Sequence, residues 1–141
     1  MSTSLAIVIT VLIAALGMAY VIGRLLTLRA GMMRETAQDA ADVDTTDLGL
    51  SGTGPTVVHF SAVWCGPCAG VRRVVNQVCD ELPAVAHVEI DMDANPAAAR
   101  RLSVLSLPTT FIFDSDGRQR YRASGVPTAA DLRSALEPLL A

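Results

Sequence analysis

The chain has 141 residues, a net charge of −3 and a composition that is 51% hydrophobic, 18% charged and only 4% aromatic. That length allows one ordinary domain and an appendage. All eleven basic residues are arginine, and they form no run outside the N-terminal third, so nucleic-acid binding has no support.

Residues 1–4 form a short N-terminal tail. Residues 5–23, "LAIVITVLIAALGMAYVIG", carry no charge. As a helix they span roughly 28 Å, close to the thickness of a bilayer's hydrocarbon core. They are apolar on every side, which a small domain has no means to bury. The run lacks a basic n-region and is longer than a usual signal core, so an uncleaved transmembrane helix is expected and not a cleaved leader. Arg24, Arg29 and Arg34 follow it. Positive-inside asymmetry then places the rest of the chain in the cytoplasm of a bacterial cell, single-pass, with an extracytoplasmic domain as the alternative. Arginine without lysine, beside abundant alanine and valine, fits a GC-rich bacterial genome.

Residues 24–54 read as a juxtamembrane helix reaching about Asp39 and then an acidic, Gly-rich linker, with one helical turn possible in "DTTDLGL". From residue 55 to 141 strands and helices alternate. "TVVHFS" is a β-branched strand. Apolar positions 71, 74, 75, 78 and 82 mark a helical face. "AHVEID" is a second strand, "NPAAARRL" a short helix with Pro96 near its start, and "TTFIFD" a third strand. Asp116-Gly117 is a turn signal, after which "RQRYRA" returns antiparallel. The last helix, "TAADLRSALEPLL", has Thr128 and Asp131 at capping-box spacing and ends at Pro138. This order predicts an α/β fold, a mixed sheet covered by helices.

The chemistry lies in "WCGPC". Cys65 and Cys68 follow a strand and open a helix. A helix N-terminus offers free N–H groups and a positive dipole end, which favour a thiolate. The thiolate is the nucleophile of disulfide exchange, and a second thiol one turn away can close a disulfide with it. Pro67 gives up an N–H where none is needed, in the first turn. Zinc requires four ligands, and Cys79, His59 and His87 supply no second ligand pair, so no metal is expected. Cys79 falls on the apolar helix face and reads as a buried, inert thiol.

"WCGPC" after an apolar strand, with "SLPTTFIFDSDGR" some forty residues later, resembles thioredoxin. The resemblance runs from Thr56 to the C-terminus. It implies a thioredoxin-like fold with Pro108 in a cis peptide bond. Cys65 is then the nucleophile and Cys68 the resolving cysteine. Trp64, Gly66 and Pro67 support them. Leu107, Pro108, Thr109 and Gly125 form the groove that holds a substrate chain. No cofactor is implied beyond the Cys65–Cys68 couple. The partners implied are protein disulfides, an unidentified electron donor and, through residues 5–23, the membrane. The Gly-Pro spacer resembles that of reducing members, with a potential of about −270 mV in thioredoxin itself.

The resemblance breaks at several positions. Thioredoxins keep a buried Asp six residues before the nucleophile, where this chain has His59. Their partner lysine falls at Glu89. An acid–base pair with its signs exchanged is the hypothesis these positions raise, with His59 a candidate acceptor for the Cys68 proton and Glu89 its charge partner. The plainer readings are a core histidine satisfied by backbone and a solvated strand glutamate. Ser61, Val63 and Ala69 replace residues that are usually larger or more polar. The edge strand and first helix of a full thioredoxin are not evident in residues 39–54. Two further functions stay open: a reductase of the cytochrome c maturation type, and a non-catalytic redox-sensing or binding module on the same fold.

Overall fold

The computed structural model describes residues 2–36 and 43–141, and it divides into two compact units. The first runs up to Ala30 and is one helix, α1 (Ser2–Arg29). It is long and apolar enough to cross a membrane, and none of its apolar stretch is buried. Threonine hydroxyls within it bond back to the carbonyl four residues earlier, Thr10 to Ala6 at 2.9 Å and Thr27 to Gly23 at 2.8 Å. That leaves no unsatisfied polar side chain at those positions.

The second unit, Gly31–Ala141, is a five-stranded mixed sheet with helices on both faces. Its elements are β1 (Arg34–Glu35), β2 (Thr56–Ser61), α2 (Cys68–Glu81), β3 (Ala86–Asp91), α3 (Pro96–Arg101), β4 (Thr109–Phe113), β5 (Gln119–Ser124) and α4 (Ala129–Leu136), with a closing 3-10 turn at Glu137–Leu139. The sheet order is β1-β5-β4-β2-β3. Strands β2 and β3 are parallel, and the other neighbours are antiparallel. Strand alternation splits the core in two. Val58, Phe60, Phe111 and Phe113 face α3 and its Ala98, Ala99 and Leu102. Val57 and Ile112 face Val71, Val75 and Val78 of α2 and Leu132 and Leu136 of α4. Cys79 packs at the margin of this second cluster, only half-buried, with its thiol pKa raised by burial. Thr128 caps α4 by accepting the Asp131 N–H at 3.1 Å, and α4 gives way to the 3-10 turn that contains Pro138.

The region before Thr56 differs from the sequence expectation. The helix does not continue to about Asp39; it stops at Arg29. Gly31 is the reason. It adopts φ +83°, and a Cβ there would lie 2.1 Å from the Val126 carbonyl oxygen. Its N–H donates to the Ser124 carbonyl at 2.5 Å, which hands the chain to the sheet. Arg34 then pairs with Arg122 and Glu35 with Tyr121, so the sheet has an edge strand, upstream of residues 39–54. Arg34 is therefore a strand residue and not part of the helix flank. The compact unit likewise begins at Gly31 and not at residue 55. Residues 43–50 are no free linker either: Leu48 is buried in the α3-side core, and Asp47 binds Arg101. The predicted turn in "DTTDLGL" falls at Thr46–Gly49. Residues 37–42, where the rest of the expected juxtamembrane helix and the start of the linker fall, lie outside the described residues.

Candidate active site

The dithiol site grows from the end of β2. After Ser61 the chain turns, with the Cys65 N–H donating to the Ala62 carbonyl at 3.0 Å. Pro67 at φ −64° already has helical geometry, so α2 starts at Cys68 without strain. Cys65 and Cys68 form a disulfide with Cα atoms 5.5 Å apart. The two sulfurs are not equivalent. Cys65 is half-buried at the surface, whereas Cys68 is buried. Cys68 Sγ lies 3.9 Å from the Phe60 carbonyl oxygen; as a disulfide sulfur it has no proton to give, but a Cys68 thiol would. A Cβ on Gly66 would meet no atom within 4 Å, so no steric demand for glycine exists at that position.

The second wall comes from the loop before β4. Leu107–Pro108 is a cis peptide bond. Thr109 pairs with Phe60, the residue whose carbonyl faces Cys68, so this loop and the disulfide share one end of the sheet. Thr109 is buried, with its hydroxyl donating to the Ser106 carbonyl at 2.7 Å. Gly125, at φ +88°, donates its N–H to the Pro108 carbonyl at 2.9 Å, which ties the end of β5 to the same loop. Trp64 stands 64% exposed, with its indole N–H bonded to Asp93 at 2.9 Å. Val63 and Leu105 project almost fully into solvent and Val126 partly so, which gives this end of the sheet an apolar rim.

Beneath α2 lies a polar cluster on an otherwise apolar face. His59 is fully buried on β2. Its register partner on β3 is Glu89, with His59 Nε2 3.5 Å from Glu89 Oε1. Arg72, one turn into α2 from Cys68, grips Glu89 with two bonds, Nε to Oε2 at 2.8 Å and Nη2 to Oε1 at 2.5 Å. That grip, with help from Ser61 and His59, holds the Glu89 carboxyl down at about 2, against a smaller opposing effect of burial. Burial pushes the His59 imidazole down to about 4, although Glu89 pulls it the other way. His59 is thus neutral at pH 7. His59 Nδ1 is 2.9 Å from His87 Nε2. Two buried atoms on this face, His59 Nε2 and Thr110 Oγ1, have no hydrogen-bond partner among the described residues, and Thr110 is the residue opposite His59 on β4.

A sequence model of thioredoxin matches residues 44–138. The chain belongs to the thioredoxin family. A thioredoxin of Mycolicibacterium smegmatis is 37% identical over 113 residues, covering 74% of this chain and 99% of that one. Among solved structures, chloroplastic thioredoxin z is 34% identical with a TM-score of 0.57, over 62% of this chain and 79% of its own. Thioredoxin from Trypanosoma brucei brucei is 34% identical with a TM-score of 0.54, over 61% and 74%. The Cys65–Cys68 pair is thus a CXXC couple on the fold of a thiol–disulfide oxidoreductase. At the position where the resemblance implied a buried carboxylate, His59 stands fully buried. The structure places His59 and Glu89 opposite each other in the register of β2 and β3. Of that cluster, Arg72 is not singled out from sequence, and His87 is weighed there only as a zinc ligand. The signal for His87 was its place two residues from Glu89, hence on the same strand face.

Proposed function

We propose that this chain is a membrane-anchored thiol–disulfide oxidoreductase that reduces protein disulfides, with its thioredoxin domain in the cytoplasm. The observation that carries the reading is the asymmetry of the couple: an accessible Cys65 and a buried Cys68 at the head of one helix. The accessible thiolate attacks a target disulfide and forms a mixed disulfide with one of its sulfurs. The buried thiol then loses its proton, attacks Cys65 Sγ and expels the target's second sulfur as a thiolate. Leu107, Pro108, Thr109 and Gly125 present backbone beside the couple for the target chain. The apolar rim of Val63, Trp64 and Leu105 favours targets whose disulfide is flanked by apolar residues.

The proton of Cys68 passes to His59. Burial holds the His59 imidazole down at about 4, so the ring does not keep the proton at pH 7 and must hand it on. The helix α1 with Arg24 and Arg29 at its C-terminal end supports anchoring and a cytoplasmic domain.

Trapping in cells with Cys68→Ser is the test. The variant stalls mixed disulfides on Cys65, and the captured chains name the clients. If no Cys65-linked adduct forms, the reductase reading is wrong. Labelling of intact cells with a membrane-impermeant thiol reagent fixes the side; prompt modification of Cys65 from outside would reverse the cytoplasmic assignment.

A further inference from the structure

His59 and His87 are close enough to act as one unit. Their Nδ1 and Nε2 atoms are 2.9 Å apart, and the ring planes are 19° from parallel. At that distance one ring donates and the other accepts. Two neutral rings carry two protons on four nitrogens, which leaves two arrangements. In the first, His59 Nδ1–H donates to His87 Nε2, His59 Nε2 is bare and His87 Nδ1 carries the second proton. In the second, His59 Nε2–H faces Glu89, His87 Nε2–H donates to His59 Nδ1, and His87 Nδ1 is bare. Passing from the first to the second takes in a proton at the buried end and releases one from His87. His59 is fully buried and His87 only half-buried, so the path leads outward.

We propose that His59 and His87 form a two-ring proton wire whose tautomer switches with the redox state of Cys65 and Cys68. The inference deepens the reading in which the Cys68 proton passes to His59. The steps balance. The Cys68 thiol gives its proton to His59 Nε2 through a bridging water, for which the unpartnered His59 Nε2 and Thr110 Oγ1 are the free polar atoms among the described residues. The shared proton crosses from His59 Nδ1 to His87 Nε2, and His87 Nδ1–H gives its proton to solvent. The Cys68 thiolate forms the Cys65–Cys68 bond as the Cys65–target bond breaks, and the target thiolate takes a proton from water. When a donor dithiol reduces the couple again, the same protons run back. The wire resets without either ring turning over.

The surroundings favour this route. The charged groups acting on the two rings are Glu89 on β3 and Arg72 on α2; β4 presents the uncharged Thr110 opposite His59. Glu89, clamped by Arg72, is too weak a base to take the proton. Burial prevents the proton from resting on His59, and His87 is left as the exit. The second arrangement puts His59 Nε2–H toward Glu89 Oε1, 3.5 Å away, in the disulfide form seen here.

The test is nitrogen NMR of 15N-histidine in the full chain in detergent micelles at pH 7. His59 carries its proton on Nε2 in the disulfide form and on Nδ1 after reduction. The same tautomer in both forms overturns the wire. A second arm uses His87→Gln. Resolution of a pre-formed mixed disulfide on Cys65 slows by on the order of tenfold or more at pH 7 and rises with hydroxide. The first attack by Cys65, measured in a Cys68→Ser background, does not change. An unaltered pH profile of resolution, or an equal loss in both steps, overturns the wire. If His59→Ala slows resolution while His87→Gln does not, the wire fails and His59 stands as the acceptor. If the unmodified chain resolves no mixed disulfide, the reductase reading itself fails.

Discussion

Replacing His59 with Leu removes a buried base and keeps the side-chain volume close. The His59 imidazole titrates near 6.5 when exposed but at about 4 in the fold, chiefly because burial disfavours its charged form. Between those values the unfolded chain binds a proton that the folded chain refuses. Stability therefore falls as pH drops through that window, by at most 1.36 kcal/mol per unit. From pH 7.5 to 4.5 about two units of the window are crossed, so the loss due to His59 is about 2–3 kcal/mol as an upper bound. The Glu89 carboxyl does not confuse this range. Its pKa is lowered from 4.5 to about 2, so its contribution is present above about 4.5 and is lost only as pH falls toward 2. His87 is also lowered by burial and adds a slope of the same sign, which is why the comparison must be with the variant. Urea unfolding of the full chain in micelles, followed by circular dichroism at four pH values, measures it. His59→Leu flattens the profile relative to the parent, with a change within about 1.5 kcal/mol at pH 7.5. Parallel profiles for parent and variant would refute the assignment of a neutral, desolvated imidazole at this position.

Three further outcomes follow from the structure. Leu48→Ala costs about 2–5 kcal/mol by the same unfolding assay, because Leu48 is a core residue of the α3 face; a loss under 0.5 kcal/mol would return residues 43–50 to linker status. Arg72→Ala moves the Glu89 carboxyl back toward the ordinary carboxylate range in a carbon NMR titration; a carboxyl that still titrates near 2 would show that another group holds it down. Gly31→Ala destabilises the unit by about 1–3 kcal/mol, because φ +83° disfavours a side chain and the Cβ would strike the Val126 carbonyl. Amide exchange at Thr36, bonded to the Arg120 carbonyl, speeds up in that variant if β1 depends on the turn.

The central strands, α2 and the dithiol were legible because their signals are local. "TVVHFS" is β-branched and bounded, the apolar positions of α2 recur at helical spacing, and a CXXC at a strand–helix junction carries its chemistry in four residues. The edge strand was not legible. Arg34 and Glu35 are two exposed charged residues with no alternation, and only pairing with β5 makes them a strand. Leu48 sits in an acidic, Gly-rich stretch whose composition reads as linker; its burial is settled by the α3 surface that it covers. The pairing of His59 with Glu89 was inferable by position, but its clamp was not. Arg72 is 17 residues from Glu89 in sequence, and the bond depends on which face α2 turns to β3. His87 lay in plain view as an idle ring, because its contact with His59 depends on the register of β2 against β3, which no local pattern fixes.

The most direct test of the whole account is reduction of insulin disulfides by the full chain in micelles, driven by a small dithiol. Catalysed precipitation of the insulin B chain is the expected result, abolished in Cys65→Ser. In Cys68→Ser turnover stops while a single insulin chain stays bound to Cys65. An unmodified chain that fails to speed precipitation, or a Cys65→Ser variant that retains the activity, would contradict the assignment of Cys65 and Cys68 as a reducing couple.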